Sequence, residues 1–164
     1  MFNFKAEFYL KIIFLLSLFA LISAYSIEFI LGHQPCNLCL IERIPYGLSI
    51  IFIIAIFILK KNENFFVLLL ILTFIFSFAI SVFHLGIEQG FFQESAICDV
   101  KNVNENLTKE DLLKQLSKKI VSCKDVTFRI FGLSLTSVNI VISFMIFFML
   151  TKIYFRYEEF KSKS

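Results

Sequence analysis

Cys36 and Cys39 stand two residues apart in the stretch HQPCNLCLIERIPYG, residues 33–47. A Cys-x-x-Cys pair closes too small a ring to constrain an unfolded chain by much, so such pairs more often exchange electrons or bind metal than hold a fold together. Cys39 lies where a helix is expected to begin, and Arg43 follows one turn later on the same face. Free N–H groups at a helix start and a neighbouring guanidinium both favour the thiolate, the form of sulfur that attacks a disulfide or an electrophilic acceptor. Arg43 at a membrane boundary has a plainer reading as a side chain snorkelling to the headgroups.

The remaining cysteines are Cys98 and Cys123. Joined, they would contribute roughly 3–4 kcal/mol in the chain-entropy description, so a simple loop staple is one reading of them. The other is exchange, because two pairs on one side of a membrane let electrons pass from thiolate to disulfide. Four thiolates also suit a closed zinc site, but such sites are usually built from two close pairs, and no second Cys-x-x-Cys is present. No metal is therefore expected. A c-type haem is disfavoured because Leu40, not histidine, follows Cys39.

His84 and Glu88 are spaced i, i+4 and share a helix face. A histidine at a membrane edge is commonly a hydrogen-bonded interfacial residue; the functional alternative is a hydrogen-bond or proton partner for a bound acceptor.

The elements that must position these groups are membrane helices. The chain has 164 residues, 58% of them apolar and 18% charged, with a mean hydropathy of +0.80. Four apolar runs are long enough to cross a bilayer, at about 9–30, 40–59, 65–87 and 133–155. The period-two alternation of a membrane β-barrel is absent from them. The first run is longer than the apolar core of a secretory signal and has no clear cleavage site after it, so it reads as an anchor. The expected fold is all-α, one integral-membrane domain over 1–164 containing a four-helix bundle.

Lysines in KKNEN (60–64), at the N-terminus and in the C-terminal tail place both termini and that short connection in the cytoplasm. Connections at about 31–39 and 88–132 then face outward. The longer one carries seven Lys/Arg of its own, which weighs against this orientation. All four cysteines nevertheless fall in the two outward connections, the compartment in which disulfides persist. Within the longer connection, LTKEDLLKQLSKKI (107–120) has a capping-box-like start and one apolar face, the pattern of a short amphipathic helix on the membrane surface. The net charge of +3 gives no reason to expect a nucleic-acid partner.

Pro-Cys-x-Leu-Cys-x-x-Glu-Arg, then His-x-Gly-x-Glu, two spaced loop cysteines and FRIFGLSLTSVN together resemble the DsbB family over nearly the whole chain. The resemblance implies a bacterial inner-membrane enzyme that reoxidises a periplasmic DsbA-like thioredoxin-fold protein and passes the electrons to ubiquinone or menaquinone. It implies Cys36 and Cys39 as the quinone-proximal pair, with Cys39 facing the ring, and Arg43 and His84 as quinone-site residues. Cys98 and Cys123 would be the loop pair, with Cys98 forming the mixed disulfide. Glu88, the segment 131–133 and Asn139 match family surroundings without a stated role. Unlike many relatives the chain has no Trp. A relative of vitamin K epoxide reductase would carry the two cysteine pairs in the opposite order, and a stapled tetraspan adaptor would not need Arg43.

Overall fold

The computed structural model describes residues 4–59, 63–93, 122–124, 129–130 and 132–162. The elements are α1 (Phe4–Phe29), α2 (Asn37–Ile41), α3 (Ile44–Leu59), α4 (Glu63–Glu88), β1 (Arg129–Ile130), β2 (Leu133–Ser134) and α5 (Leu135–Ser162). Among the described residues, four helical stretches are long and apolar enough to span a bilayer: Ala6–Phe29, Asn37–Leu59, Glu63–Glu88 and Leu135–Phe155. The chain is a multi-pass, mostly helical membrane protein, as its apolar runs dictate. The expected amphipathic helix at 107–120 lies outside the described residues.

Buried positions recur at alternating spacings of three and four on each long helix. On α4 they are Val67, Leu70, Phe74, Ser77, Ser81 and His84. On α5 they are Thr136, Ser143, Ile146, Leu150 and Ile153, with Asn139 in register. On α3 they are Tyr46, Ser49, Ile53 and Ile56, and on α1 Leu10, Ile13 and Ser17. This is the seam of a left-handed helical bundle. Leu15, Phe19, Ile58, Phe65, Leu72 and Phe148, on the outer faces, are each more than half exposed, as lipid-facing side chains are.

The seam changes chemistry along its length. Toward one end it is mainly apolar, with Leu10, Ile13, Ile53, Ile56, Val67, Leu70, Ile146 and Leu150 in one cluster, and Glu63 buried at the start of α4. In the middle the layer is serine: Ser49 and Ser17 hydroxyls meet at 2.7 Å, and Ser77 and Ser143 at 3.0 Å. Small hydroxyls let membrane helices approach closely while satisfying each other. One layer further, the Asn139 amide donates to Ser81 Oγ at 2.8 Å and accepts from the Tyr46 hydroxyl, joining α3, α4 and α5. Beyond that lie Glu42, His84, Glu88, Cys36, Cys39 and Cys123.

Three local signals shape this polar end. The second span is broken at Glu42–Arg43, between α2 and α3. In an unbroken helix the Pro45 ring would press on the carbonyl of Ile41 and leave it without an amide partner; restarting at Ile44 puts Pro45 in a first turn, where neither cost arises. α4 ends in a Schellman motif: Phe91 N–H bonds Gly86 O at 2.8 Å, Gly90 N–H bonds Ile87 O at 3.0 Å, and Gly90 has φ +79°. The fourth run was expected from about 133, but Leu133 and Ser134 form β2, pairing antiparallel with β1. Ser134 Oγ accepts from Ser137 N–H at 3.2 Å and so caps α5, which starts at Leu135.

Candidate active site

Cys36 is the N-cap of α2, with φ −73° and ψ 168°, and its sulfur accepts the Cys39 N–H at 3.3 Å. The helix begins a few residues earlier than the sequence suggests, so Cys36, rather than Cys39, receives the free N–H of the first turn. The two are thiols with their Sγ atoms 2.8 Å apart. Cys36 is buried and Cys39 half-buried.

His84 stands behind this pair. Its Nε2 lies 3.5 Å from Cys36 Sγ, and its Nδ1 lies 3.0 Å from Glu42 Oε1 and 3.2 Å from Thr136 Oγ1. Thr136 donates to Glu88 Oε1 at 2.6 Å, and that carboxylate oxygen is 3.8 Å from His84 Nε2. The other oxygen, Glu88 Oε2, is buried without a hydrogen-bond partner among the described residues. One imidazole thus touches a thiol and two carboxylates contributed by α2, α4 and the residue that ends α2. The Cys36 thiol is pulled down from the ordinary thiol range to about 5, first by its hydrogen bond with the Cys39 thiol and then by His84, against the opposing effect of burial.

Arg43 reaches in another direction. Its guanidinium pairs with Glu28 at the end of α1 and lies 4.9 Å over the Tyr25 ring. Both members of the pair keep little exposure, and together they tie α1 to the start of α3. Sequence reasoning gave Arg43 a snorkelling or acceptor-binding role and missed Glu28. An acid inside an apolar run was the available signal, because such a charge needs a partner.

A cavity of about 200 Å³ lies between α1, the α2–α3 segment and α5. Ala20, Ala24, Ile27, Val138 and Ile142 give it apolar walls; Cys39, Glu42, Arg43 and Tyr46 of the second span and Thr136 and Asn139 of α5 supply polar groups. Helices α1 and α5 pack little on each other, whereas α4 packs extensively on α5. Cys39 and Arg43 line this space; Cys36 and His84 do not. A concave, mainly apolar site with a few convergent polar groups suits a flat ring that carries hydrogen-bonding oxygens and apolar substituents.

Cys123 is disulfide-bonded, buried, and packed in one cluster with Cys36, Leu38 and Ile87. Cys98 lies outside the described residues. The Sγ atoms of Cys36 and Cys39 and one His84 ring nitrogen all lie within 4.8 Å of one another. The structure therefore brings Cys36, Cys39, His84 and Cys123 to one end of the bundle, and Arg43 lines the cavity with Cys39 and Glu42. Glu42 and Thr136 were not assigned roles from sequence, although Glu42 was part of the motif quoted above.

Comparison with known proteins identifies the family. The chain is 30% identical over 142 residues to an uncharacterized protein of Rickettsia prowazekii (strain Madrid E), covering 85% of this chain and 83% of that one. No solved structure matches it. The family model for disulfide bond formation protein DsbB matches residues 6–153, which take in three spans, all but the last two residues of the fourth, and every cysteine. With its paired thiols at the membrane boundary, the chain belongs to the DsbB family of membrane disulfide oxidoreductases.

Proposed function

We propose that this protein reoxidises a periplasmic DsbA-like dithiol protein and passes the electrons to quinone, ubiquinone or menaquinone, bound in the cavity beside Cys39. The observation that carries this reading is the position of the Cys36–Cys39 pair. Cys36 shares a buried cluster with disulfide-bonded Cys123, and Cys39 lines the cavity, so the pair bridges a loop disulfide and a site open to apolar ligands.

In this reading the chain acts as one integral-membrane unit in the bacterial inner membrane, with both termini cytoplasmic. The reduced partner attacks the Cys98–Cys123 disulfide, with Cys98 forming the mixed disulfide. The partner's second thiol resolves that mixed disulfide, leaving the partner oxidised and both loop cysteines as thiols; these attack Cys36–Cys39, re-form the Cys98–Cys123 bond and leave Cys36–Cys39 as a dithiol. Quinone supplies a two-electron, two-proton acceptor. Cys39 is the sulfur that meets it, and Arg43, held by Glu28 and Tyr25, presents N–H donors on the same wall. The thiolate at Cys36, held by the α2 N-terminus and His84, is ready to close the new disulfide onto Cys39.

The test is turnover. Purified protein in detergent is mixed with a reduced thioredoxin-fold partner and ubiquinone, and quinone reduction is followed by absorbance. Turnover that is lost in Cys39→Ser and Cys98→Ser variants supports the reading. Absence of turnover in the wild type, or full turnover in either variant, contradicts it. Menaquinone in the same assay establishes the acceptor preference.

A further inference from the structure

Formation of the Cys36–Cys39 disulfide breaks two S–H bonds and releases two electrons and two protons. The electrons leave through Cys39, which lines the cavity. Cys36 does not line the cavity, and the proton associated with that thiol has a second route. Apart from its partner sulfur Cys39, at 2.8 Å, the group that faces Cys36 Sγ is the His84 imidazole, whose Nε2 lies at 3.5 Å. The opposite ring nitrogen faces Glu42 Oε1 at 3.0 Å, and Glu42 is itself a cavity-lining residue.

Building on the quinone-reducing reading above, we propose that Glu42 carries into the cavity the proton that His84 takes from Cys36. The step balances as dithiol plus quinone giving disulfide plus hydroquinone. One S–S bond forms between Cys36 and Cys39, two S–H bonds are lost, and two electrons and two protons pass to the quinone oxygens. His84 takes the Cys36 proton at Nε2 when the thiolate forms, before quinone arrives, and releases one from Nδ1 to Glu42 as the disulfide closes, so the imidazole need not rotate between the two transfers. The Cys39 proton reaches the cavity directly. Glu42 is 8% exposed and sits at the break between α2 and α3, where the helix ladder does not continue past it.

The ionisable groups facing His84 are Cys36 and Cys39 at the start of the second span, Glu42 beside them, and Glu88 on its own helix; α5 contributes the uncharged Thr136. Thr136 also lines the cavity and touches Nδ1, but its hydroxyl donates to Glu88 at 2.6 Å. Its proton is thus committed elsewhere, which leaves Glu42 as the carrier. Glu88, with one oxygen unpartnered, flanks the Nε2 side and does not line the cavity.

The experiment is a single turnover of the full-length, prereduced protein in lipid nanodiscs, rapidly mixed with decylubiquinone in H2O and in D2O across pH. General acid–base transfer is commonly worth about 100-fold or more. Glu42→Gln is expected to slow quinone reduction by about that factor and to remove the solvent isotope effect and the pH dependence seen in the wild type. Glu42→Asp, which restores a carboxyl group, is expected to recover most of the rate. Alkylation of Cys36 in each variant verifies that the site is folded. A Glu42→Gln protein with wild-type rate and isotope effect overturns the relay, as does a Glu42→Asp protein no faster than Glu42→Gln. A wild-type protein that reduces no quinone overturns the functional reading as well, so the two failures are told apart.

Discussion

Cys36 Sγ and His84 Nε2 face each other at 3.5 Å, joining the cap of α2 to the buried face of α4. This contact places a base against the thiol that the helix N-terminus already favours as an anion. The Cys36 thiol, lowered to about 5, should therefore react with iodoacetamide at a rate that holds down to mildly acidic pH and halves near 5, whereas an ordinary thiol halves near 9. His84→Ala removes a hydrogen bond and a charge that favour the thiolate, so it should move that midpoint upward by about 1 unit or more. The sign for stability follows. The folded value is the lower one, so the reduced protein gains stability from this group above the ordinary thiol range and loses it as pH falls through about 5. A wild-type profile with its midpoint near 9 contradicts the assignment.

Arg43 and Glu28 form a cross-helix clamp. Removing one partner strands the other charge with little exposure. Breaking a fully buried pair costs about 3–5 kcal/mol; with some solvent contact retained here, roughly 1–3 kcal/mol is expected for Arg43→Ala. The Arg43→Ala/Glu28→Ala double variant should cost less than the sum of the singles, read from denaturant unfolding in a double-mutant cycle. Additive singles would show that the pair does not couple α1 to α3.

Asn139 accepts from Tyr46 and donates to Ser81, so it links α3, α4 and α5. Interhelical hydrogen bonds in membranes average about 0.6 kcal/mol and reach about 1.7. Asn139→Ala, which loses two, should cost about 1–3 kcal/mol in unfolding from mixed micelles. Tyr46→Phe should cost less, because it leaves the Ser81 bond in place.

Gly90 holds φ +79° at the end of α4, where the chain turns back and Phe92 stacks on Phe83 with ring centroids 5.5 Å apart. A side chain in that conformation costs about 1–2 kcal/mol. Gly90→Ala should destabilise by about that amount, while Gly47→Ala, in a helix and with nothing within 4 Å of the added methyl, should not. The comparison is made by thermal unfolding.

The four spans were legible because an apolar run long enough to cross a bilayer has no other stable use. The cysteine end was legible in part. Residue type and order in Pro-Cys-x-Leu-Cys-x-x-Glu-Arg pointed to the pair and to the family. The sequence did not show that Pro45 would force a restart at Ile44, and with it the placement of Cys36 as cap and Glu42 at the break. Partners such as Glu28 for Arg43, or Glu42 and Thr136 for His84, come from different helices, and single-chain periodicity carries no record of which seam positions meet. The polar spacing Ser77, Ser81, His84, Glu88 was present as a pattern, yet its meaning depended on Ser143, Asn139 and Thr136 facing it from α5.

The most direct test of the central claim is the stoichiometry of quinone reduction by the prereduced protein alone, under anaerobic conditions with no partner protein. The account predicts rapid reduction of one quinone per Cys36–Cys39 dithiol. That phase is lost in Cys39→Ser and retained in Cys123→Ser, because the loop cysteine acts upstream. Reduction that survives Cys39→Ser, or that fails in the wild type while both thiols remain titratable, would contradict it.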